Sequence, residues 1–139
     1  KDNKNEFILA ADTVVELNER IFGKPKNREE ASSFLRILSG NTHKVITAYV
    51  FKNISKNILI KEVVISEVKF LELDNEIINW YLGTAEPFDK AGAYGIQGYG
   101  RILVEKINGD YYSIMGFPIS NFLENLRKIG YKISQIDKI

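Results

Sequence analysis

Apolar and polar positions change period several times along the chain, and each change predicts an element. Residues 7–17 (FILAADTVVEL) are β-branched or apolar at nearly every position. That is the pattern of a central strand covered on both faces, here with one carboxylate, Asp12, in its middle. Residues 18–20 read as a turn, and Ile21 with Phe22 as a short returning strand ended by Gly23, so a hairpin is expected. Asn27 with Glu30 has the form of a capping box. Ala31, Phe34, Leu35 and Leu38 follow at helical spacing with Gly40 beyond them, which predicts a helix.

Residues 42–51 and 58–71 carry β-branched or apolar side chains on both faces and predict two long strands joined through residues 53–57. Asp74 can cap a helix whose Ile77, Ile78, Tyr81 and Leu82 share a face, and Gly83 stops it. Residues 84–100 lose all periodicity and hold Gly92, Gly95, Gly98 and Gly100, four of the ten glycines, in a stretch too long for a routine connection. Loops of this kind usually carry function. Residues 101–107 and 111–115 then read as a hairpin around Asn108-Gly109. A last helix is expected from Pro118, packing Phe122, Leu123, Leu126 and Ile129 and ending at Gly130. No internal repeat interrupts this order. The expectation is one domain over residues 1–139 of α/β class, with a mixed, mostly antiparallel elongated sheet flanked by helices.

Composition narrows the chemistry. With 45% hydrophobic and 27% charged residues the chain has the makings of a core, and disordered or fibrous classes are excluded. A formal charge of +1 gives no field for non-specific nucleic-acid or membrane binding. No apolar run approaches the roughly 20 residues of a membrane helix. The absence of cysteine removes disulfides, thiolate nucleophiles and cysteine metal sites, and a single histidine excludes a histidine cage. The first residue is Lys1 rather than Met, so the chain is expected to have been processed or to follow a preceding segment.

Three places stand out chemically. Asp12 in an apolar strand costs several kcal/mol unless it is paired, binds metal or faces a cleft, which leaves structural and functional readings both open. Gly23-Lys24-Pro25-Lys26 puts two lysines within reach of an anion, although solvated lysines in a turn are its simplest reading. Residues 86–98 (EPFDKAGAYGIQG) combine two carboxylates, a lysine, an amide and closely spaced glycines. This is neither a Walker A loop nor a dinucleotide fingerprint, and Gln97 offers a donor and an acceptor to a base edge. His43 is expected as a structural hydrogen-bonder, and Tyr111, Tyr112, Phe117 and Phe122 as core. No serine stands in a nucleophile elbow.

AADTVV (residues 10–15), GKPKN (23–27), LSGNTHKVITA (38–48) and EPFDKAGAYGIQG (86–98), in this order and spacing, resemble the Maf family of nucleoside triphosphate pyrophosphatases, also called septum-formation inhibitors. The likeness runs from residue 7 to about residue 126 and implies a Maf/ITPase-like fold. The GAYGIQG form of the last motif resembles the dTTP/UTP branch. The resemblance implies hydrolysis of dTTP, UTP and modified pyrimidine nucleotides between the α- and β-phosphates, with a divalent cation, Mg or Mn, as cofactor. Asp12 matches the family's proton acceptor, acting on water directly or through the metal it holds. Lys24 matches the motif lysine that neutralises phosphate charge, and Thr13 and Gln97 match positions linked to substrate choice. Glu86, Asp89 and Lys90 match the loop motif; Glu86 and Lys90 are expected at the substrate, with metal, phosphate or the loop itself left open as their partner. The resemblance further implies a cytoplasmic homodimer with nucleoside triphosphates as partners and a connection to arrest of cell division. The family also begins with a strand and a Ser-Pro-Arg-Arg loop that grips the triphosphate. Arg20, Arg28, Arg36, Arg101 and Arg127 lie outside that pattern, so a shortened form of a normal enzyme is expected. The alternative is a nucleotide- or partner-binding module without turnover.

Overall fold

The computed structural model describes residues 4–136. Strand β1 (Ile8–Leu17) turns at Asn18 and Glu19, both with positive φ (51° and 68°), into the short β2 (Arg20–Phe22). Two successive positive φ values are what a tight two-residue hairpin needs to match strand twist. Helix α1 (Arg28–Leu38) starts where Asn27 accepts the Glu30 N–H at 2.8 Å, and the Glu30 carboxylate reaches back to the Lys26 N–H at 3.0 Å. Amides that the helix itself leaves without partners are thereby satisfied.

The two long strands form as expected. β3 (Thr42–Asn53) and β4 (Ile58–Phe70) pair along their whole length, and Asn53 closes their turn by accepting from Ser55 Oγ and the Lys56 N–H. Helix α2 (Asn75–Leu82) begins at Asp74, which accepts the Ile77 N–H at 2.9 Å. Short 3₁₀ turns at Glu86–Asp89, Ala91–Ala93 and Gly98–Leu103 lead into β5 (Val104–Asn108), followed by helices α3 (Tyr111–Met115), α4 (Ile119–Lys128) and α5 (Ile133–Ile136). The sheet has five strands in the order β2-β1-β3-β4-β5, with every pairing antiparallel.

Strand alternation decides which face is covered. On β3 the side chains of His43, Val45, Thr47, Tyr49, Phe51 and Asn53 are buried, and on β4 so are Ile60, Ser66, Val68 and Phe70. Helices and the glycine-rich segment cover this face. One core cluster joins Phe22, Leu35, Leu38, Phe70, Tyr81 and Leu103; a second, at the far end, joins Tyr49, Phe51, Ile60 and Leu126. The other face leaves Leu59, Val63 and Ile65 exposed.

Three expectations change. First, β1 is not covered on both faces: of its residues only Val15 is buried. The part of β1 before residue 15 also has β3 as its single strand partner among the described residues, since β2 pairs only with residues 15–17. Asp12 is exposed, and the burial cost expected for its charge does not arise. Second, residues 111–115 are helical rather than the second arm of a hairpin. The Asp110 carboxylate accepts the Tyr112 N–H at 3.2 Å while Ser66 Oγ accepts the Asp110 N–H at 2.9 Å, so this segment is capped as a helix and anchored to β4. β5 begins at Val104 and pairs with β4, residues before it being 3₁₀. Third, Tyr111 and Tyr112 are exposed on that short helix rather than in the core, and Ile129 is exposed just past α4, whereas Phe117 and Phe122 pack on the second cluster as expected.

His43 takes the structural place expected of it. It is buried, lies edge-on against Phe70 and Tyr94, and its Nε2 is 2.7 Å from Tyr94 Oη. Burial lowers its pKa from 6.5 to about 4, so the folded imidazole stays neutral where the unfolded one is already charged. Between those values the unfolded state binds more protons, and stability is lost as pH falls through this window. The predicted loss is about 3 kcal/mol from pH 6.5 to pH 4. Urea unfolding across that range should show it, and a His43→Gln variant should have a flatter curve; parallel curves for the two proteins would refute the assignment.

Candidate active site

The glycine-rich segment is held as a wall by one carboxylate. Glu86 Oε1 accepts from Tyr81 Oη at 2.9 Å and from the Gly100 N–H at 3.0 Å, and Oε2 accepts the Tyr99 N–H at 2.7 Å. Tyr81 Oη in turn accepts the Gly95 N–H at 3.0 Å, which ties both ends of the segment to helix α2. Burial pushes the Tyr81 hydroxyl pKa up; the Gly95 N–H opposes this and the Glu86 carboxylate adds to it. The phenol therefore remains a donor to Glu86. Glycine is required here by close approach: a Cβ on Gly100 would collide with the Gly95 carbonyl oxygen, and one on Gly95 would lie 2.7 Å from Lys90 Cε. The backbone folds back on itself and the Lys90 stem runs along it.

This wall faces β1 across a cavity of about 320 Å³. Five separate segments line it, one of them β3 through Val45. Ala11, Asp12, Thr13 and Val15 come from β1, Lys24 from the turn after β2, Asp89 to Ala91 and Tyr94 to Gln97 from the glycine-rich wall, and Ile114 to Gly116 from the end of α3. Five of the six residues expected at the site, Asp12, Thr13, Lys24, Lys90 and Gln97, are brought together although they are scattered over more than eighty positions of sequence.

Their local chemistry differs. Asp12 is exposed, and its Oδ1 accepts the Thr13 N–H at 2.9 Å. Thr13 Oγ1 lies 2.8 Å from Thr47 Oγ1. Lys90 Nζ is 3.3 Å from Asp89, a pairing too exposed to hold the ammonium away from a ligand. Lys24 has no carboxylate within ion-pair distance among the described residues, and so meets an anion as a free charge. Gln97 is exposed at the rim with its amide open. The arrangement combines a carboxylate, two cations, and amide and hydroxyl groups suited to a polar ring.

Glu86 is the exception. It was expected at the substrate, but it does not line the cavity, and both oxygens are bound within the wall. The structure gives it the third of the partners left open, the loop itself. Sequence reasoning also misses residues 114–116, the first two of which it reads as the end of a strand, and Thr47, which the register sets directly opposite Thr13. A divalent cation fits the donor set in a limited way. Among the described residues no three histidine or acidic side chains gather, yet Asp12 and Asp89 both line the cavity. One or two carboxylates completed by substrate phosphates and water is the ordinary way Mg²⁺ is held.

Comparison with known proteins agrees with the geometry. A family model described as Maf-like protein matches residues 1–129. The chain is 83% identical over 139 residues to the dTTP/UTP pyrophosphatase of Fusobacterium nucleatum, covering all of this chain and 72% of that protein. It is 50% identical over 131 residues to the dTTP/UTP pyrophosphatase of Pyrococcus furiosus, covering 94% of this chain and 67% of the relative. Against the protein of the same name from Bacillus cereus the identity is 42% over 134 residues, covering 96% and 69%.

The Glu86 contacts yield a prediction. In Glu86→Gln the amide NH₂ faces at least one N–H donor that the carboxylate accepted, so the variant should lose about 1–3 kcal/mol in urea unfolding. A variant within about 0.5 kcal/mol of wild type, the usual surface range, would contradict the role given to this carboxylate.

Proposed function

Since the chain belongs to the Maf family, we propose that its cavity binds a pyrimidine nucleoside triphosphate, dTTP or UTP, and hydrolyses it to the monophosphate and pyrophosphate. The enzyme class is that of a nucleoside triphosphate pyrophosphatase. The observation that carries the reading is the convergence of Asp12, Thr13, Lys24, Lys90 and Gln97 on one cavity.

In this mechanism a water oxygen bonds to the α-phosphorus, and the bond from that phosphorus to the bridging oxygen breaks. Pyrophosphate leaves with the bridging oxygen and the electron pair. Asp12 Oδ2 takes the proton the water gives up; its Oδ1 is held by the Thr13 N–H, so the carboxylate has a fixed orientation for general-base work. Lys24 and Lys90 offset phosphate charge, most strongly as the leaving group gains it. Thr13 and Gln97 take the nucleoside end. Asp12 and Asp89 would hold a divalent cation, Mg²⁺ or Mn²⁺, whose chemistry when bound would be further neutralisation of phosphate charge.

The proposal extends to a homodimer in the cytoplasm and to a part in arrest of cell division downstream of the hydrolysis. No helix among the described residues is long and apolar enough to cross a membrane. Residues 1–139 as one Maf-like domain are part of the same proposal.

The test is pyrophosphate release from dTTP, UTP, CTP, dATP, GTP and 7-methyl-GTP with Mg²⁺ or Mn²⁺. The Fusobacterium nucleatum protein serves as a positive control. Release should be confined to dTTP and UTP, and Asp12→Asn should lower kcat about 10²- to 10⁴-fold while retaining nucleotide affinity. Unchanged kcat in the variant would remove Asp12 from the mechanism, and binding without release by the wild-type chain would favour the non-catalytic alternative.

A further inference from the structure

The hydroxyl of Thr47 determines the direction of the hydroxyl bond made by Thr13. Thr47 is wholly buried and does not line the cavity. Its Oγ1 lies 2.9 Å from the carbonyl oxygen of Ser113, an atom that can only accept. The same carbonyl also accepts the Gly116 N–H at 3.0 Å, so both of its lone pairs are engaged. A threonine hydroxyl has one proton, and that of Thr47 goes to Ser113. The 2.8 Å contact between Thr13 and Thr47 must then run the other way, with Thr13 donating and Thr47 accepting. Thr13 thus meets the cavity with lone pairs alone.

We propose that this buried relay, Thr13 to Thr47 to the Ser113 carbonyl, makes Thr13 an acceptor for the N3–H of a uracil or thymine ring, with Thr47 as the residue that sets the preference over cytosine. The inference rests on the reading that the cavity takes a pyrimidine nucleotide, and it specifies how the base is read. Phosphate oxygens are acceptors and gain nothing from an acceptor-only hydroxyl. Uracil and thymine share an N3–H between two carbonyls, whereas cytosine presents an N3 lone pair beside an amino group, so Thr13 opposes it lone pair to lone pair. The 3′-hydroxyl is common to all nucleotides and cannot select among them, and the 2′-hydroxyl is missing from dTTP. Gln97, on the same cavity, has both a donor and an acceptor for the flanking carbonyls and ring edge. Thr47 is a positioning residue: it acts on the base through Thr13 and touches no substrate.

The experiment is calorimetric titration of the α,β-imido analogues of dUTP and dCTP, with Mg²⁺, into wild type, Thr47→Val and Thr47→Ser, each checked for folding by its urea midpoint. Wild type should prefer the dUTP analogue. Valine keeps the shape of threonine but removes the acceptor, so the Thr13 proton is free to turn toward N3 of cytosine. The affinity ratio of dUTP over dCTP analogue should then fall about tenfold, the scale of one hydrogen bond. Serine restores the hydroxyl and should restore the ratio. An unchanged ratio in Thr47→Val, equal weakening toward both analogues, the same fall in Thr47→Ser, or no base preference in wild type would each overturn the proposal. Pyrophosphate release measured beside the titration separates the two readings. Base preference without turnover would defeat the hydrolase reading and leave the relay standing, whereas turnover without base preference would do the reverse.

Discussion

The site depends on the ability of one carboxylate to order a segment that has little reason to be ordered. Glycines lose more backbone freedom on folding than other residues, and residues 92–100 contain four of them. Glu86 offsets that loss with acceptor oxygens for the Tyr99 and Gly100 amides and for the Tyr81 hydroxyl, and Tyr81 passes the constraint on to Gly95. Buried Tyr94 and Ile96 complete the anchoring from below. Without this the Lys90 ammonium and the Gln97 amide have no fixed place opposite β1. The same glycines that make the segment costly to order are the only residues that let its backbone approach itself so closely.

The opposite wall follows from strand periodicity. Consecutive residues on a strand project to opposite faces, and the β1–β3 register sets Asp12 against Ala48 and Thr13 against Thr47. The Thr13 side chain therefore reaches the covered side, where Thr47 and α3 are waiting, while Asp12 is exposed to water. Both still line one cavity, in the part of β1 that β2 does not reach. A water-accessible base and a polar group oriented by the core can thus be neighbours in sequence. Ser113 ties α3 to the sheet beside this wall, since its carbonyl accepts from Thr47 as well as from the Gly116 N–H that closes the helix.

Much of this was legible from residue patterns. Both helix caps, at Asn27 and Asp74, act as their side chains imply, and the two long strands have their expected lengths to within two residues. The resemblance of four motifs picked out five residues that the fold gathers at one cavity. What was not legible shares a cause: it was decided by contacts distant in sequence. Asn108-Gly109 is a strong local hairpin signal, yet Ser66 from β4 and the capping Asp110 make residues 111–115 a helix. The apolar run of β1 looks doubly covered, but what packs on each face of a strand is not written in its own residues, and only Val15 of β1 is buried. Glu86 looked like a ligand group because its partners are backbone amides thirteen and fourteen residues away. Thr47 sat inside a recognised motif, but only the register discloses its link to Thr13.

The central claim is that β1 and the glycine-rich wall enclose the nucleotide between them. Its most direct measurement is a titration of the isotope-labelled chain with the α,β-imido analogue of dUTP and Mg²⁺, followed by amide chemical shifts. The account predicts that the largest changes fall on Asp12, Thr13, Lys24, Gly95, Gln97 and Gly116, which come from four of the five segments that line the cavity. Changes gathered instead on the neighbouring groove of Arg101, Lys106 and Tyr111, or an absence of changes at β1, would contradict it.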